Sequence, residues 1–443
     1  MTIPLMIIKN KKQLSKTKTR AMVLEVLEFG YQAINLQNVL KDKLRISGNN
    51  LIINSQKIDL RKFKRIFVCG IGKCALETGK YLEKTLGKKI AGGIVLDTRT
   101  EKLKYIKSIK GDHPQPSLRN LRISQKILRL IESLNPKEDF LIFIVSGGGS
   151  SLFFSPCGIK PKDMISLSLD LHKSGTNIHE FNIVRKHLSS VQGGKLGLSL
   201  RPLKILALYF SDVVSETNNK NLETIASGPF YTDKHNDLEA RKVLQKYGLW
   251  RKYSKKILGF SETVKNKKHL SHISQQLLLT NTVALEALVK RARQIGFKPK
   301  ILSSTFSAEA NTVFNKVRIL ADHYPKHDFF IIGGEMTIKV GGKGRGGRNQ
   351  QAVLASLKNI KDNESFVCVA SDGIDNTEYA GAISDYLVFE KARKLNLNTR
   401  VYLKNNDSFS FFKKTGDYIK TGKTGVNVAD IILYYRKKRD SYH

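Results

Sequence analysis

The stretch DFLIFIVSGGGSS, residues 139–151, joins an unbroken apolar run to a glycine-rich turn. Residues 140–145 include β-branched and aromatic side chains, and an apolar run this short is typical of a strand buried on both faces. Ligands of open α/β sheets bind outside the carboxyl ends of the strands. The stretch therefore predicts a central strand of a parallel sheet, with the floor of a ligand site directly after it.

The turn after this strand is rich in groups that can donate hydrogen bonds. A glycine run leaves backbone N–H groups bare and lets another molecule approach closely. We expect these glycines and the neighbouring serine hydroxyls to hold an anionic group. The residues are Ser146, Gly147, Gly148, Gly149, Ser150 and Ser151. A tight strand-to-helix turn with no ligand is the alternative interpretation.

Strand and helix patterns alternate on both sides of this stretch, which indicates a mostly parallel sheet with helices on both faces. Apolar periodicity predicts an amphipathic helix at residues 21–36. The charged stretch 237–278 shows no clear strand and is interpreted as a helical connector to a second α/β unit. Strands of that unit are predicted at 300–304, 329–332, 337–340, 366–370 and 401–403.

Length and charge limit the classes of protein to consider. The 443 residues are enough for two domains, and the net charge of +38 makes nucleic acid binding a serious alternative. However, the lysines and arginines are spread along the whole chain and are not interleaved with stacking aromatic residues. We therefore expect weak, salt-sensitive binding of nucleic acid and no specific nucleic acid partner.

Cysteine usage and hydropathy indicate the cellular compartment of the protein. The four cysteines form no CxxC pair and no zinc-like spacing with histidine, which favours a reducing compartment. No apolar run approaches the roughly 18 residues needed to span a bilayer. The expectation is a cytoplasmic protein with no membrane association.

The first glycine loop supports two different functions. Gly70-x-Gly72-x-x-Ala75 follows a predicted strand, and Asp97 ends the next one, as in a dinucleotide-binding fold. This pattern favours an NAD(P)-dependent dehydrogenase. However, Lys73 lies within the loop at the start of a helix, where the helix dipole already attracts anions. A lysine there suits a transferring phosphoryl group or a substrate carboxylate.

The densest glycine segment, residues 341–347, and the residue directly after it supply two arginines that could approach a polyphosphate closely. They are Arg345 and, directly after the segment, Arg348. A flexible basic turn is the alternative. Acidic residues follow apolar strands elsewhere, and carboxylates at strand ends suit Mg²⁺. The candidate metal ligands are Asp212, Glu335 and Asp372, and the further candidate ligand-binding residues are Gly72, His113 and Asn349.

Taken together, these stretches resemble the glycerate 2-kinase family that carries a MOFRL domain at its C-terminal end. The matching motifs are GIGK at 70–73, GDHPQP at 111–116, VSGGGSSL at 145–152, FNIVRKHLS at 181–189, GGKL at 193–196, SDV at 211–213, IASGP at 225–229, GGE at 333–335, GKGRGGRNQ at 342–350, ASDGIDNTEYAGA at 370–382 and TGKTGVNVAD at 421–430. They follow the family's order along residues 20–435.

The resemblance implies an N-terminal Rossmann-like domain at residues 15–260 and a smaller α/β MOFRL domain at 280–435. It also implies transfer of a phosphoryl group from ATP, with Mg²⁺, to the 2-hydroxyl of D-glycerate. The family's active-site lysine falls on Lys73 and its active-site arginine on Arg348. A homodimer is a further expectation. Two alternatives stay open: an NAD(P)-dependent hydroxypyruvate reductase and a basic nucleic-acid-binding protein.

Overall fold

The computed structural model describes residues 6–211 and 222–437. Its helices are α1 (Lys11–Leu14), α2 (Lys18–Ile34), α3 (Leu36–Lys43), α4 (Ala75–Leu86), α5 (Leu118–Glu132), α6 (Gly149–Leu152), α7 (Pro161–Lys173), α8 (Ile178–His187), α9 (Lys195–Ser199), α10 (Asp237–Lys246), α11 (Trp250–Tyr253), α12 (Asn281–Gln294), α13 (Val313–Asp322), α14 (Arg348–Ser356), α15 (Tyr386–Lys394), α16 (Thr399–Lys404) and α17 (Ser408–Thr415). Its strands are β1 (Leu44–Ser47), β2 (Asn50–Ile53), β3 (Gln56–Asp59), β4 (Arg65–Ile71), β5 (Ile90–Asp97), β6 (Lys107–Lys110), β7 (Asp139–Ser146), β8 (Lys204–Phe210), β9 (Ile273–Leu279), β10 (Pro299–Phe306), β11 (Phe329–Gly334), β12 (Glu364–Ala370), β13 (Gly381–Asp385), β14 (Tyr418–Ile419) and β15 (Asp430–Arg436).

The described residues divide into two compact units. The parallel-sheet unit contains residues 39–211 and 222–279, and the mixed-sheet unit contains residues 6–38 and 280–437. The first helices of the chain therefore belong to the same unit as the C-terminal half. The sequence-based division, with domains at 15–260 and 280–435, assigns α2 to the N-terminal domain, whereas its contacts group it with the C-terminal half.

The parallel-sheet unit is built on six parallel strands in the order β6-β5-β4-β7-β8-β9. Every residue of β7 is buried, as predicted for the apolar run at residues 140–145. The central strands carry Phe143, Val145 and Tyr209 into one hydrophobic core beneath the flanking helices. The predicted parallel α/β architecture is confirmed. A separate antiparallel sheet, β1-β2-β3, belongs to the same unit.

The charged stretch 237–278 is only partly a helical connector. It forms α10 and α11, but its last residues form the edge strand β9, which pairs with β8 of the parallel sheet. The prediction without a strand was wrong there, because the polar pair Gln275 and Gln276 hides the strand pattern. At an edge these amides find partners, since Nε2 of Gln275 donates to the carbonyl of Phe230 at 3.0 Å.

The mixed-sheet unit has six strands in the order β10-β11-β15-β12-β13-β14, parallel only between β10 and β11. Two predicted strands are absent from the described residues. Residues 401–403 lie in α16, because Asn398 caps that helix by accepting a hydrogen bond from the N–H of Arg400. Within 337–340, only Thr337 makes a bridge, to Glu309.

Helix α2 completes the mixed-sheet unit. It begins after the capping residue Thr17, packs against α12 and buries Val23, Val26 and Leu27. Arg20 of this helix has no exposed surface and donates to Oδ1 of Asp385 at 2.7 Å and to Oδ1 of Asp417 at 2.8 Å. Removing one partner of a buried ion pair typically costs about 3–5 kcal/mol. The helix is therefore an integral part of the unit.

Within the described ranges, no helix is both long enough and apolar enough to cross a membrane.

Candidate functional site

The loops after β4 and β7 leave the centre of the parallel sheet side by side. The strand order reverses between these two strands, since β4 leads outward to β5 and β6, and β7 leads to β8 and β9. Ligands of open α/β sheets bind at such a reversal point. We call the residues around it, 70–73, 113 and 146–151, the glycine-loop site.

Ser146 holds the two loops together. Gly72 has φ +107, and a Cβ atom there would lie 2.3 Å from Oγ of Ser146, so only glycine fits. That Oγ accepts a hydrogen bond from the N–H of Cys74 at 3.0 Å and donates to the carbonyl of Ile71 at 3.2 Å. Because its proton is donated within the protein, Ser146 is not the anion donor expected from the sequence, and its role is to fix the loops.

The backbone N–H groups at the start of α4 are all engaged within the protein. The N–H of Lys73 donates to the carbonyl of Gly147, and the N–H of Leu76 donates to Oδ2 of Asp97. Asp97 has no exposed surface, and its Oδ1 accepts from the N–H of Arg99. A dinucleotide fold needs free N–H groups here for the pyrophosphate and a free acid for the ribose. This loop offers neither.

Lys73 supplies a positive charge to the glycine-loop site. Its ammonium makes no hydrogen bond or ion pair with any described residue. Partial burial, and then the positive charge of Lys73, lower the pKa of His113. A Cβ at Gly148, which has φ +81, would lie 3.1 Å from Nε2 of His113 and 3.5 Å from Cε of Lys73. The three predicted residues therefore lie together, and the absence of a side chain at 148 leaves room for the two basic groups.

The rest of the glycine loop places hydrogen-bond donors near Lys73 and His113. No described residue accepts a hydrogen bond from the N–H groups of Gly147, Gly148 or Gly149. Ser150 Oγ lies 2.9 Å from Oγ of Ser227, and Ser151 Oγ donates to the carbonyl of Gly148 at 3.1 Å. Free N–H groups beside an unpaired ammonium suit an anion.

A second site lies in the mixed-sheet unit around Arg348, the first residue of α14. Nε of Arg348 lies 2.8 Å from Oδ2 of Asp430, and Nη1 lies 2.9 Å from Oε1 of Glu335. Burial alone would lower the pKa of Arg348, but the charges of Asp430 and Glu335 raise it overall. Arg348 and Asp430 border a cavity of about 490 Å³, within the size range of small-molecule sites. We call it the Arg348 cavity.

Asp375 anchors the start of α14 beside this cavity. Its carboxylate accepts hydrogen bonds from the N–H groups of Asn349 at 3.1 Å and Gln350 at 2.8 Å, and from both side-chain amides. Burial nevertheless raises the pKa of Asp375 to about 6. Asn349 also donates to Oδ1 of Asp430 at 2.9 Å. The predicted residue Asn349 is therefore fixed between two acids, and it lines the cavity.

The other candidates of this unit are in different situations. Arg345 is exposed, with its guanidinium 4.4 Å from the ring centre of Phe409 and 3.4 Å from Glu378, and it does not line the Arg348 cavity. Asp372 lines the cavity, and its Oδ1 accepts from the N–H of Ile374.

The predicted metal ligands do not form a cluster in the part of the chain that is described. Glu335 is 64% exposed and is paired with Arg348. Asp212 lies outside the described residues. Within residues 6–211 and 222–437, no group of three or more His, Cys, Asp or Glu side chains could hold a metal ion.

The predicted site residues do not include the two buried acids that organise the Arg348 cavity, Asp375 and Asp430, which are 3% and 1% exposed, although Asp375 follows an apolar strand in the sequence. A signal was present, because both lie in motifs that were quoted for the family resemblance, at 370–382 and 421–430. An acid in such a motif that is followed or preceded by a buried strand is a candidate for fixing a nearby arginine.

Comparisons with known proteins agree with this architecture. Residues 22–261 match a family described as a domain of unknown function, DUF4147, and residues 328–430 match the MOFRL family. The chain is 33% identical to the D-glycerate 2-kinase of Thermotoga maritima, over 83% of this chain and 90% of that one. A putative hydroxypyruvate reductase of Agrobacterium vitis is 32% identical over 74% of this chain and 76% of its own length.

A solved structure gives the same result for the fold. The crystal structure of glycerate kinase from Thermotoga maritima superposes with a TM-score of 0.80 at 29% identity, covering 94% of this chain and 99% of that one. The match of DUF4147 covers more than half of the chain, and the MOFRL match follows it in the expected order. The chain therefore belongs to the DUF4147 and MOFRL family, which includes the D-glycerate 2-kinase of Thermotoga maritima.

Proposed function

We propose that the protein is a glycerate 2-kinase, which transfers the γ-phosphoryl group of ATP to the 2-hydroxyl of D-glycerate. The observation that carries the proposal is the unpaired ammonium of Lys73 beside the free N–H groups of Gly147, Gly148 and Gly149. Phosphoryl transfer needs positioning and positive charge around the phosphate oxygens more than covalent help from the protein. The family includes relatives named for this activity.

In this reaction the substrate hydroxyl oxygen forms a bond to the γ-phosphorus, the bond from that phosphorus to the bridging oxygen breaks, and ADP leaves. We assign Lys73 to the negative charge of a phosphate oxygen. His113 is the candidate to accept the hydroxyl proton, because its lowered pKa keeps the ring neutral at pH 7. Arg348 belongs to the mixed-sheet unit, where Asp430 orients its guanidinium. We assign Arg348 as a second cation that stabilises negative charge on the substrates.

Mg²⁺ is part of the proposal. Magnesium usually takes one or two carboxylates and leaves its other positions to water and phosphate oxygens, so a site on this chain needs no cluster of acids. Asp372 fits this requirement, since it lines the Arg348 cavity and only its Oδ1 is engaged by a described N–H group. Asp372 would hold the ion, which would offset the negative charge of the nucleotide phosphates.

The hydroxypyruvate reductase is the second candidate, favoured by the relative from Agrobacterium vitis and by the Gly70-x-Gly72-x-x-Ala75 pattern. The engaged N–H groups at the start of α4 and the fully buried Asp97 argue against it. Nothing at this loop is left to hold the pyrophosphate or the ribose in the manner of a dinucleotide fold.

One pair of assays separates the two functions. The purified protein is given ATP, MgCl₂ and D-glycerate, and the product is identified as 2-phosphoglycerate or 3-phosphoglycerate by ³¹P NMR. In parallel it is given hydroxypyruvate with NADH or NADPH, and absorbance at 340 nm is followed. We expect 2-phosphoglycerate and no nucleotide oxidation. Steady oxidation without phosphoryl transfer would overturn the proposal.

Three further expectations accompany this function. Cys69, Cys74, Cys157 and Cys368 form no disulfide bond, which suits the reducing cytoplasm. A homodimer stays a prediction, to be checked by light scattering of the eluting protein. Nucleic acid is not expected as a specific partner, and binding driven by the charge of +38 should fall steeply with salt.

A further inference from the structure

Arg185 on α8 has no counter-ion in the described part of the chain. Its Nη1 donates to Oδ1 of Asn182 at 2.8 Å, and its guanidinium lies 4.2 Å from the ring centre of Phe181. No described acid pairs with this partly buried side chain, and its partial burial lowers the pKa of Arg185 to about 10. Guanidinium groups that leave water usually have an anionic partner.

The surroundings of Arg185 form a small cleft with a mixed polar and apolar lining. Ser150, Ser151, Ser189 and Gln192 border it, and Arg185 carries the sole charge among its described lining residues. The cleft encloses about 20 Å³, against about 490 Å³ in the Arg348 cavity. A space of this size holds roughly one or two water molecules. It therefore suits the head of a small acid and excludes a nucleotide phosphate chain.

A hydrogen-bonded chain connects Arg185 to the glycine-loop site. Oδ1 of Asn182 accepts from Arg185 and also from Oγ of Ser227 at 3.0 Å, and Ser227 is in turn bonded to Ser150. Ala226 and Ser227 have φ +51 and +57, a left-handed conformation that L-residues rarely adopt. Backbone strain of this kind persists where the surroundings enforce it, often beside ligands.

Gln192 gives an independent observation in the same cleft. The residue is 3% exposed, and its Nε2 donates to the carbonyl of Ser150 at 3.2 Å. Its buried Oε1 accepts no hydrogen bond from any described residue. An unsatisfied buried acceptor is destabilising unless a donor reaches it. A ligand with a hydroxyl group next to an anionic group would satisfy both Gln192 and Arg185.

From these contacts we infer that the cleft around Arg185 binds the carboxylate of a small α-hydroxy acid, with Gln192 accepting from a hydroxyl of the same molecule. This inference rests on the proposed function, in which the hydroxy acid is the phosphoryl acceptor. Arg185 is then the specificity determinant for an acid over the corresponding alcohol. The planar fork of arginine matches the two oxygens of a carboxylate.

The test compares wild type with Arg185→Met, Arg185→Lys and the control Arg241→Met. Arg241 is exposed and lies 4.5 Å from the ring centre of Trp250, so the control removes an arginine stacked on an aromatic ring away from the cleft. KM and kcat are measured for D-glycerate and for ATP. Binding of D-glycerate, L-lactate and glycerol without ATP is measured by calorimetry.

For Arg185→Met we expect KM for D-glycerate to rise about 10- to 100-fold while KM for ATP stays within about twofold, because one charge-assisted contact is lost. Arg185→Lys should fall between this variant and wild type, and Arg241→Met should match wild type. Wild type should bind D-glycerate and L-lactate but not glycerol, and Arg185→Met should lose the binding of both acids.

The outcomes separate this inference from the proposed function. If wild type binds small hydroxy acids through Arg185 but transfers no phosphoryl group to them, the inference holds and the kinase proposal fails. If wild type is active and KM for D-glycerate is unchanged in both Arg185 variants, Arg185 is structural and the inference is overturned. A selective rise in KM for ATP would overturn it too, since the cleft would then hold phosphate. Arg185→Lys keeps the charge and gives a folded comparison should Arg185→Met fail to fold.

Discussion

Nε of Arg348 lies 2.8 Å from Oδ2 of Asp430, a carboxylate with only 1% of its side chain exposed. Oδ2 of Asp430 also accepts from the N–H of Met336, and Oδ1 accepts from Asn349, so the acid is held by the backbone and the side chains around it. Asp430 thereby fixes the position of the Arg348 guanidinium. The more exposed Glu335 is the partner that a ligand can replace.

Asp430→Asn should lower kcat about 100-fold and change KM for either substrate little. A misplacement of about 1 Å can cost two orders of magnitude in rate, and the neutral amide keeps the shape of the acid without its hold on Arg348. Initial rates over a matrix of ATP and D-glycerate concentrations check this. If KM rises as much as kcat falls, or if the melting temperature of the variant is much lower than that of wild type, the loss of activity would reflect lost binding or lost stability and not the orientation of Arg348.

Arg348→Ala should reduce turnover by roughly 10³- to 10⁵-fold, the usual value of an arginine that stabilises a transferring phosphoryl group. Arg345→Ala is the matched control from the same glycine segment. Its guanidinium stacks on Phe409 and approaches Glu378 at the surface, so we expect a change of less than about threefold. The reverse pattern would show that the roles of the two arginines are exchanged.

Lys73→Met should fold normally and lose at least about 100-fold in turnover, since a preorganised charge is worth this much in a transition state. Lys73→Arg should restore little of the lost turnover, because the planar guanidinium group does not reproduce the point charge of an ammonium group in a short loop. Circular dichroism establishes the fold, and single-turnover formation of 2-phosphoglycerate gives the rate. Unchanged turnover in Lys73→Met would remove this residue from the mechanism.

Gly148→Ala should impair activity more than stability. The added Cβ would lie 3.0 Å from the ring of His113, so this ring must shift, and 3.5 Å from Cε of Lys73, an ordinary van der Waals contact. Gly175→Ala is a matched control, with φ +70 and no atom within 4 Å of the added Cβ. Both variants should lose about 1–2 kcal/mol from the left-handed backbone. Comparable activity in the two variants would contradict the crowding argument.

Asp375 should make the folded protein less stable as the pH rises from about 4 to about 6. Burial raises the pKa of this carboxyl to about 6, against about 3.9 in an unfolded chain. Between these values the folded protein keeps a proton that the unfolded chain has lost, so this contribution is present below about pH 4 and is lost through pH 6.

Melting temperatures of wild type and Asp375→Asn at pH 4, 5, 6 and 7 check the sign. Asparagine cannot ionise, so the difference between the two proteins isolates the carboxyl. Wild type should lose stability relative to the variant as the pH rises. A constant difference across the series would mean that the pKa of Asp375 is not raised.

Local patterns predicted the parallel-sheet unit well, because the apolar runs of β4 and β7 and the glycines after them define strand, turn and strand end at once. The same patterns failed for residues 401–403, where the apolar triplet Val401, Tyr402 and Leu403 resembles a strand but Asn398 caps a helix. The partner of α2 could not be predicted at all. Periodicity shows that one face of a helix is apolar, but contacts with the distant helix α12 decide where that face is buried.

Arg20 precedes its partners Asp385 and Asp417 by 365 and 397 positions. A ribosome that adds about 5–20 residues per second needs roughly 20 to 80 seconds to cover that distance. During this time the guanidinium of Arg20 has no carboxylate partner, while the parallel-sheet unit can already fold. Helix α2 is therefore made long before its ion-pair partners, and a chaperone that covers this helix would protect it from wrong contacts until Asp417 has been added.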